Sequence, residues 1–317
     1  MDHPNKVLVV AKREAAEFAM LADVPHVLAY EASATGAMRD VTAILHWSGS
    51  RDMLREAFLK CERLRWLHFR FAGIDATLFP ELVASEVVVT NGRGVYSATL
   101  GEFALAAILY FAKDIPRLRR DQAARMWTPF AMERVEGQTV GIVGYGDIGR
   151  AVATRAHAMG MRILATKRHP PEQPDPLIER YYRPAELHAM LAVCDYVVVA
   201  APLTAETRHM IGEAEFAAMK SSAVLMNVGR GPVVNTDALV SALTRKQIKG
   251  AGLDVVEPEP LPAGHALYGM ENVLLSPHSA DQVVGWKADA VRFFLEQYAR
   301  FEKGEPLLNV VNKRLGY

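Results

Sequence analysis

The feature that most constrains this chain is a strand-like run at residues 139–143 (Thr-Val-Gly-Ile-Val). It passes directly into Gly144-Tyr145-Gly146-Asp147-Ile148-Gly149 and then into a helix-like stretch at 150–159. A buried strand, a glycine turn and a helix in that order call for a parallel sheet, because the helix must cross the sheet before the next strand can pair. In such a turn the first glycine permits the tight reversal. The second lets a ligand approach the backbone, and the third lets helix and strand pack closely. The helix N-terminus adds amides and a partial positive charge, so the segment reads as a cradle for the pyrophosphate of a dinucleotide. A glycine turn with only a structural purpose is the alternative.

The same alternation continues on both sides. Downstream, strand-like runs occur at 162–166, 196–200, 224–228, 251–254 and 273–275; upstream they occur at 7–11, 43–46, 66–69 and 87–90. At 317 residues the chain exceeds the roughly 250 at which single cores stop growing. The expectation is therefore α/β, with two Rossmann-like doubly wound parallel-sheet domains and the active site in the cleft between them. Residues 1–98 plus 285–317 would form a discontinuous substrate domain, and 99–284 the dinucleotide-binding domain. A helical stretch at 97–120 reads as a connecting rod, a final helix spans 280–303, and the Pro-rich 169–176 is a surface loop.

A carboxylate is expected at the end of the second strand of such a fold, where it takes the ribose hydroxyls. Here the strand ends in Thr166-Lys167-Arg168-His169. Two cations and a hydroxyl stand where a carboxylate would repel a 2′-phosphate, which argues for NADP(H), with NADPH preferred over NADH. A solvated basic loop is the plainer reading.

Charge narrows the partners. Lys plus Arg and Asp plus Glu both number 36, so no net field draws the chain to nucleic acid or to an anionic membrane, and a small molecule is the expected partner. The longest apolar run, 103–112, is about half of what a spanning helix needs. Cys61 and Cys194 form no metal or disulfide spacing, and the opening residues lack a secretory leader. The expectation is a cytoplasmic protein without a bound metal.

Three segments follow later strands: Asn227-Val228-Gly229-Arg230-Gly231-Pro232, the run from Asp254 through Glu257-Pro258-Glu259-Pro260, and Ser276-Pro277-His278. They supply an arginine, a glutamate and a histidine. Singly, each has a plainer reading: Arg230 as a surface ion pair, Glu259 as a solvated charge beside Glu257, His278 as a turn residue. In this order they resemble the D-2-hydroxyacid dehydrogenase family, of the glyoxylate or hydroxypyruvate reductase type. The resemblance takes in Phe71-Ala72-Gly73-Ile74-Asp75, Glu102-Phe103-Ala104 and Pro202-Leu203-Thr204-Ala205-Glu206-Thr207.

Reducing a 2-oxo acid needs a cation for the carboxylate, an acid for the carbonyl oxygen and a held hydride donor. Arg230 offers the planar fork, His278 the proton, and Glu259 the group that fixes the imidazole. The resemblance implies further roles. Asp254 would contact the nicotinamide carboxamide, and the amides of Ala72, Gly73 and Ile74, next to Phe71, would bind the substrate carboxylate. Tyr145, Asp147, Ile148, Thr166, Pro202, Thr207 and Val228 would line the cofactor site. It also implies a homodimer through residues 97–130.

His46-Trp47-Ser48 and Phe69-Arg70-Phe71, if they line the pocket, favour a bulky or apolar substrate side chain. A formate dehydrogenase-like enzyme would pair its histidine with glutamine, against Glu259. A nucleotide-sensing corepressor scaffold with the same core is the remaining alternative.

Overall fold

In a computed structural model the described residues are 5–29 and 38–316; the opening residues 1–4, which bear on the expected lack of a leader, lie outside them. The chain divides into two compact units, residues 1–96 with 284–317 and residues 97–283.

In the first unit, β1 (Lys6–Val10), β2 (His26–Ala29), β3 (Val41–His46), β4 (Trp66–Phe69) and β5 (Val88–Asn91) form a five-stranded sheet. Its order is β2-β1-β3-β4-β5, and every pairing is parallel. β3 and β4 are buried at every position, as central strands covered on both faces must be. Among the covering elements are α1 (Arg51–Lys60), capped by the Ser50 side chain on the Met53 amide, and α2 (Pro80–Ala84), with proline in its first turn.

The second unit opens with α3 (Ser97–Ala112) and α4 (Ile115–Ala123). The strands are β6 (Thr139–Val143), β7 (Arg162–Thr166), β8 (Arg180–Tyr182), β9 (Tyr196–Val199), β10 (Val224–Asn227), β11 (Gly250–Leu253) and β12 (Val273–Leu275). They form one parallel sheet in the order β12-β11-β10-β9-β6-β7-β8. Four helices connect them: α5 (Asp147–Ala158), α6 (Leu187–Leu191), α7 (Glu213–Ala218) and α8 (Thr236–Thr244). The chain leaves β6 towards β7 and β8 and returns on its other side at β9. That reversal is the switch point outside whose strand ends open α/β sheets bind ligands. α3 crosses α5 closely, since a Cβ at Gly101 would lie 2.9 Å from the Ala151 carbonyl oxygen.

α9 (Trp286–Lys303) completes the first unit. Its Phe294 stacks on Trp66 of β4, ring centroids 5.3 Å apart and 8° from parallel, with both side chains fully buried. Burial of a side chain of the Phe294 type contributes roughly 1.5–3 kcal/mol.

Several sequence expectations differ from this structure. The single helix expected over 97–120 is two helices. Asp114 takes φ 47° and ψ 53°, and its side chain accepts from the Arg117 amide. Pro116 has no N–H and collides with the carbonyl four residues back, so one helix cannot run through it. The last helix begins at Trp286, after Gly285 at φ 87°. β2 and β8 were not expected; both lie at sheet edges, and four and three residues are too few to display an alternation. No helix among the described residues is long and apolar enough to cross a membrane.

Candidate active site

The glycine turn sits at the carboxyl end of β6. Gly144 has φ +92°, and a Cβ there would lie 2.6 Å from the Ala201 Cα, so both dihedral and space require glycine. A Cβ at Gly149 would come 2.8 Å from the Gly144 carbonyl oxygen. Gly146, by contrast, faces open space: nothing lies within 4 Å of its Cβ position. It is the N-cap of α5, whose opening amides have no acceptor within the helix. A cradle that a side chain would fill, at a helix N-terminus, fits a dinucleotide pyrophosphate.

The turn is held from two directions. The Gly144 amide donates to Thr166 Oγ1 (3.0 Å), which makes that buried threonine part of the turn's own support. Asp175 Oδ2, from the Pro-rich loop, accepts from the Tyr145 hydroxyl (2.9 Å) and from Arg150 Nε (2.7 Å). Asp175 carried no signal in the sequence, because the contact joins residues 25 and 30 apart. Beyond Thr166, Lys167 Nζ stands 5.8 Å from the Tyr145 ring centroid, and half-exposed Arg168 is 3.8 Å from Glu206 Oε2. Pro202 and Thr207 close one turn, the Thr207 hydroxyl donating to the Pro202 carbonyl at 2.6 Å. Val228 is buried, its amide donating to Val199.

Arg230, Glu259 and His278 all belong to the second unit. Buried Asn227 shapes the arginine's turn: its Nδ2 donates to the Arg230 carbonyl (3.0 Å) and its Oδ1 accepts from the Gly229 amide (3.1 Å). Gly231 is forced, since a Cβ would lie 1.8 Å from the Val256 carbonyl oxygen. The loop carrying His278 is fixed by Asp254. That buried residue's Oδ1 accepts from Ser276 Oγ (2.7 Å) and from the Ser279 and Ala280 amides (2.9 Å each), while its carbonyl accepts from the His278 amide. His278 itself takes φ 54°, a left-handed conformation uncommon outside glycine.

Glu259 Oε2 accepts from His278 Nδ1 at 2.8 Å, and Oε1 accepts from the Val256 amide at 3.0 Å. With the proton at Nδ1 assigned to Glu259, Nε2 is left for another partner. Burial pushes the Glu259 carboxyl up, but the bonds from His278 and the Val256 amide, with the Arg230 charge nearby, outweigh it and hold it below the usual carboxylate range. The bond to Glu259 raises the imidazole of His278 above its ordinary value against the pull of burial, and Asp254 and Asp281 add to the rise. The arrangement is an imidazole held by a carboxylate that favours its charged form, with the Arg230 charge near the pair.

Phe71-Ala72-Gly73-Ile74 belongs to the first unit. Asn91 Nδ2 donates to the Ala72 carbonyl (2.6 Å), and the Gly92 amide donates to that of Phe71 (3.1 Å). Ile74 is fully buried. His46 and Phe69 are fully buried in the same unit, so they serve its core; β3 and β4 are inner strands, and their last residues turn into it. Neither ring nitrogen of His46 has a hydrogen-bond partner. Burial, with the Arg70 charge beside it, takes its pKa down to about 4, so the ring is neutral near pH 7. The Arg70 guanidinium lies 5.2 Å from the Trp47 ring and 4.6 Å from that of Trp286.

Residues 105–280 match the family model described as D-isomer specific 2-hydroxyacid dehydrogenase, NAD binding domain. The chain belongs to this family. It is 35% identical over 289 residues to a glyoxylate reductase of Thermococcus gammatolerans, covering 88% of this chain and 85% of the relative. It is 38% identical over 240 residues to glyoxylate/hydroxypyruvate reductase B of Salmonella schwarzengrund, covering 73% and 72%. In structure it resembles a D-isomer specific 2-hydroxyacid dehydrogenase of Xanthobacter autotrophicus solved with NADPH and MES: TM-score 0.85, 29% identity, 99% of this chain and all of that one. This D-2-hydroxyacid dehydrogenase family member is therefore an oxidoreductase with a nicotinamide-dinucleotide domain, and its two parallel-sheet units are the family's fold.

Proposed function

We propose that the protein is an NADPH-preferring 2-oxo acid reductase of the glyoxylate or hydroxypyruvate type. The observation that carries this reading is the 2.8 Å contact of His278 Nδ1 with Glu259 Oε2, which leaves Nε2 as the proton donor. The names of the relatives above support the substrate class.

When bound, the nicotinamide supplies or accepts the hydride. The α5 N-terminus with Gly144, Gly146 and Gly149 holds the pyrophosphate, and Asp254 orients the carboxamide. Arg230 binds the substrate carboxylate bidentately and polarises the carbonyl oxygen. His278 gives its Nε2 proton to the forming alkoxide in reduction and takes it back in oxidation. Glu259 favours the protonated ring before that transfer. A panel of 2-oxo acids with NADPH and NADH tests the reading; no turnover of glyoxylate or hydroxypyruvate with either cofactor would remove it.

The pH profile follows from His278. Its raised pKa keeps the acid form present to higher pH, so reduction stays level at low pH and falls as pH rises through that value. Glu259→Gln removes the largest cause of the rise, so the fall moves to lower pH. An unmoved profile would show that Glu259 does not act on the imidazole.

Cofactor preference rests on Lys167 and Arg168, with no carboxylate at the strand end. A hydrogen bond to a charged group is worth about 1.5–3 kcal/mol before discounting for exposure. NADPH is thus expected to exceed NADH by at least about tenfold in kcat/KM, for which about 1.4 kcal/mol suffices. Lys167→Asp with Arg168→Ala should erase or reverse that ratio and leave kcat at saturating cofactor nearly unchanged. Equal wild-type values would assign both side chains to solvent.

The segment 97–130 supports a homodimer, because it ends in an apolar arm that its own unit leaves uncovered: Trp127 is 97% exposed and Met126 55%. Light scattering should give about 70 kDa, twice 35.0 kDa. A particle of 35.0 kDa at micromolar concentration would refute the dimer.

A further inference from the structure

Arg208 and His209 follow the Pro202–Thr207 turn, and the reaction described above uses neither. Their side chains converge on one carboxylate. Arg208 Nη1 donates to Glu257 Oε1 at 2.9 Å, and His209 Nε2 donates to Glu257 Oε2 at 2.6 Å. Glu257 stands two residues before Glu259, and its own amide donates to Thr236 Oγ1 at 3.3 Å. The backbone of the same segment runs along the arginine's loop. The His209 amide donates to the Pro232 carbonyl at 2.8 Å, and the Ile211 amide to that of Val233 at 3.1 Å. His209 makes both sets of contacts from a left-handed conformation, φ 53°, which turns its ring towards Glu257 while its amide meets Pro232. The two loops it joins already touch, since Gly231 has no room for a Cβ against the Val256 carbonyl.

We infer that Glu257, gripped by Arg208 and His209, is a positioning residue that sets Glu259 against His278. The inference rests on the roles proposed above for those three residues. Magnitudes decide what kind of role this is. All three clamp side chains are at least about a third exposed, and exposed ion pairs add little to global stability. Placement is far more sensitive: a misplacement of about 1 Å can cost on the order of a hundredfold in rate. A clamp too weak to hold the fold together is still strong enough to bias the loop that carries Glu259. Glu259 depends on that loop, because its Oε1 is held by the amide of Val256, the residue before Glu257.

The test is a double-mutant cycle on the full-length enzyme, reading kcat, KM for NADPH and the pH profile of glyoxylate reduction. Glu257→Ala should lower kcat about fivefold. It should move the high-pH fall in the same direction as Glu259→Gln, by less, and leave KM for NADPH unchanged. In the Glu259→Gln background it should change neither kcat nor the profile further, because a residue acting through Glu259 has nothing left to act on. A wild-type profile and kcat in Glu257→Ala, beside an altered Glu259→Gln, would overturn the clamp and leave the proposed function standing. Independent, multiplying losses in the double variant would also overturn it. If Glu259→Gln itself behaves as wild type, the fault lies in the catalytic assignment, and the clamp falls with it. Should Glu257→Ala not fold, Arg208→Ala and His209→Phe each remove one donor. A displaced profile in both supports the clamp, and an unmoved profile in both overturns it.

Discussion

Replacement of His278 by Ala is expected to lower kcat for 2-oxo acid reduction by about 10²–10⁴-fold, the range in which a positioned acid contributes. The loss should appear in kcat, since the proton moves in the transition state and the imidazole contributes less to ground-state binding. One complication is local. His278 has φ 54°, a conformation that alanine tolerates poorly and asparagine better. His278→Asn therefore keeps the loop's preferred shape without an acid of suitable pKa. Equal losses in the two variants attribute the effect to the proton. A loss confined to the alanine variant attributes it to the loop, and near wild-type kcat in both would end the assignment of His278 as the acid.

Arg230→Ala should cost about 10²–10³-fold in kcat/KM, comparable to the removal of one donor aimed at a developing oxyanion. KM for the oxo acid and kcat should both worsen, because in the proposed mechanism the guanidinium serves the carboxylate in the ground state and the carbonyl oxygen in the transition state. Arg230→Lys keeps the charge without the fork, so it should recover part of the KM effect and little of kcat. The turn that presents Arg230 is built mainly by Asn227 and Gly231, to which the guanidinium adds an Nη1 bond to the Gly229 carbonyl at 2.9 Å, so melting temperature should change little. A variant with unchanged KM and kcat would move the carboxylate site elsewhere in the protein.

Much of this machinery is legible in the chain itself because it is local. A strand followed by Gly144-Tyr145-Gly146-Asp147-Ile148-Gly149 has few ways to fold, since Gly144 must reach φ +92° and Gly149 must pass against its carbonyl. The Asn227–Arg230 turn is closed by contacts two and three residues apart. Glu259 and His278 stand out by type and by their place after strands, and their contact spans only 19 residues.

Other features depend on residues that only the folded chain brings together. The break at Asp114 was written in Pro116, but the apolar spacing on either side hid it. The edge strands β2 and β8 are too short to carry a period and exist because an inner strand offers them unpaired backbone groups. Asp175 meets Tyr145 and Arg150, and Glu257 meets Arg208 and His209, across 25 to 49 residues. His46 is fully buried at the end of an inner strand, with the Phe69 and Phe71 rings against it. Dihedral limits and short hydrogen bonds act within a few residues, so the sequence by itself determined the glycine turn, the alternation of strands and helices and the side chains proposed to react. Burial and long-range pairing are set by which strands become neighbours, so only the tertiary structure decided what surrounds those side chains and holds them in place.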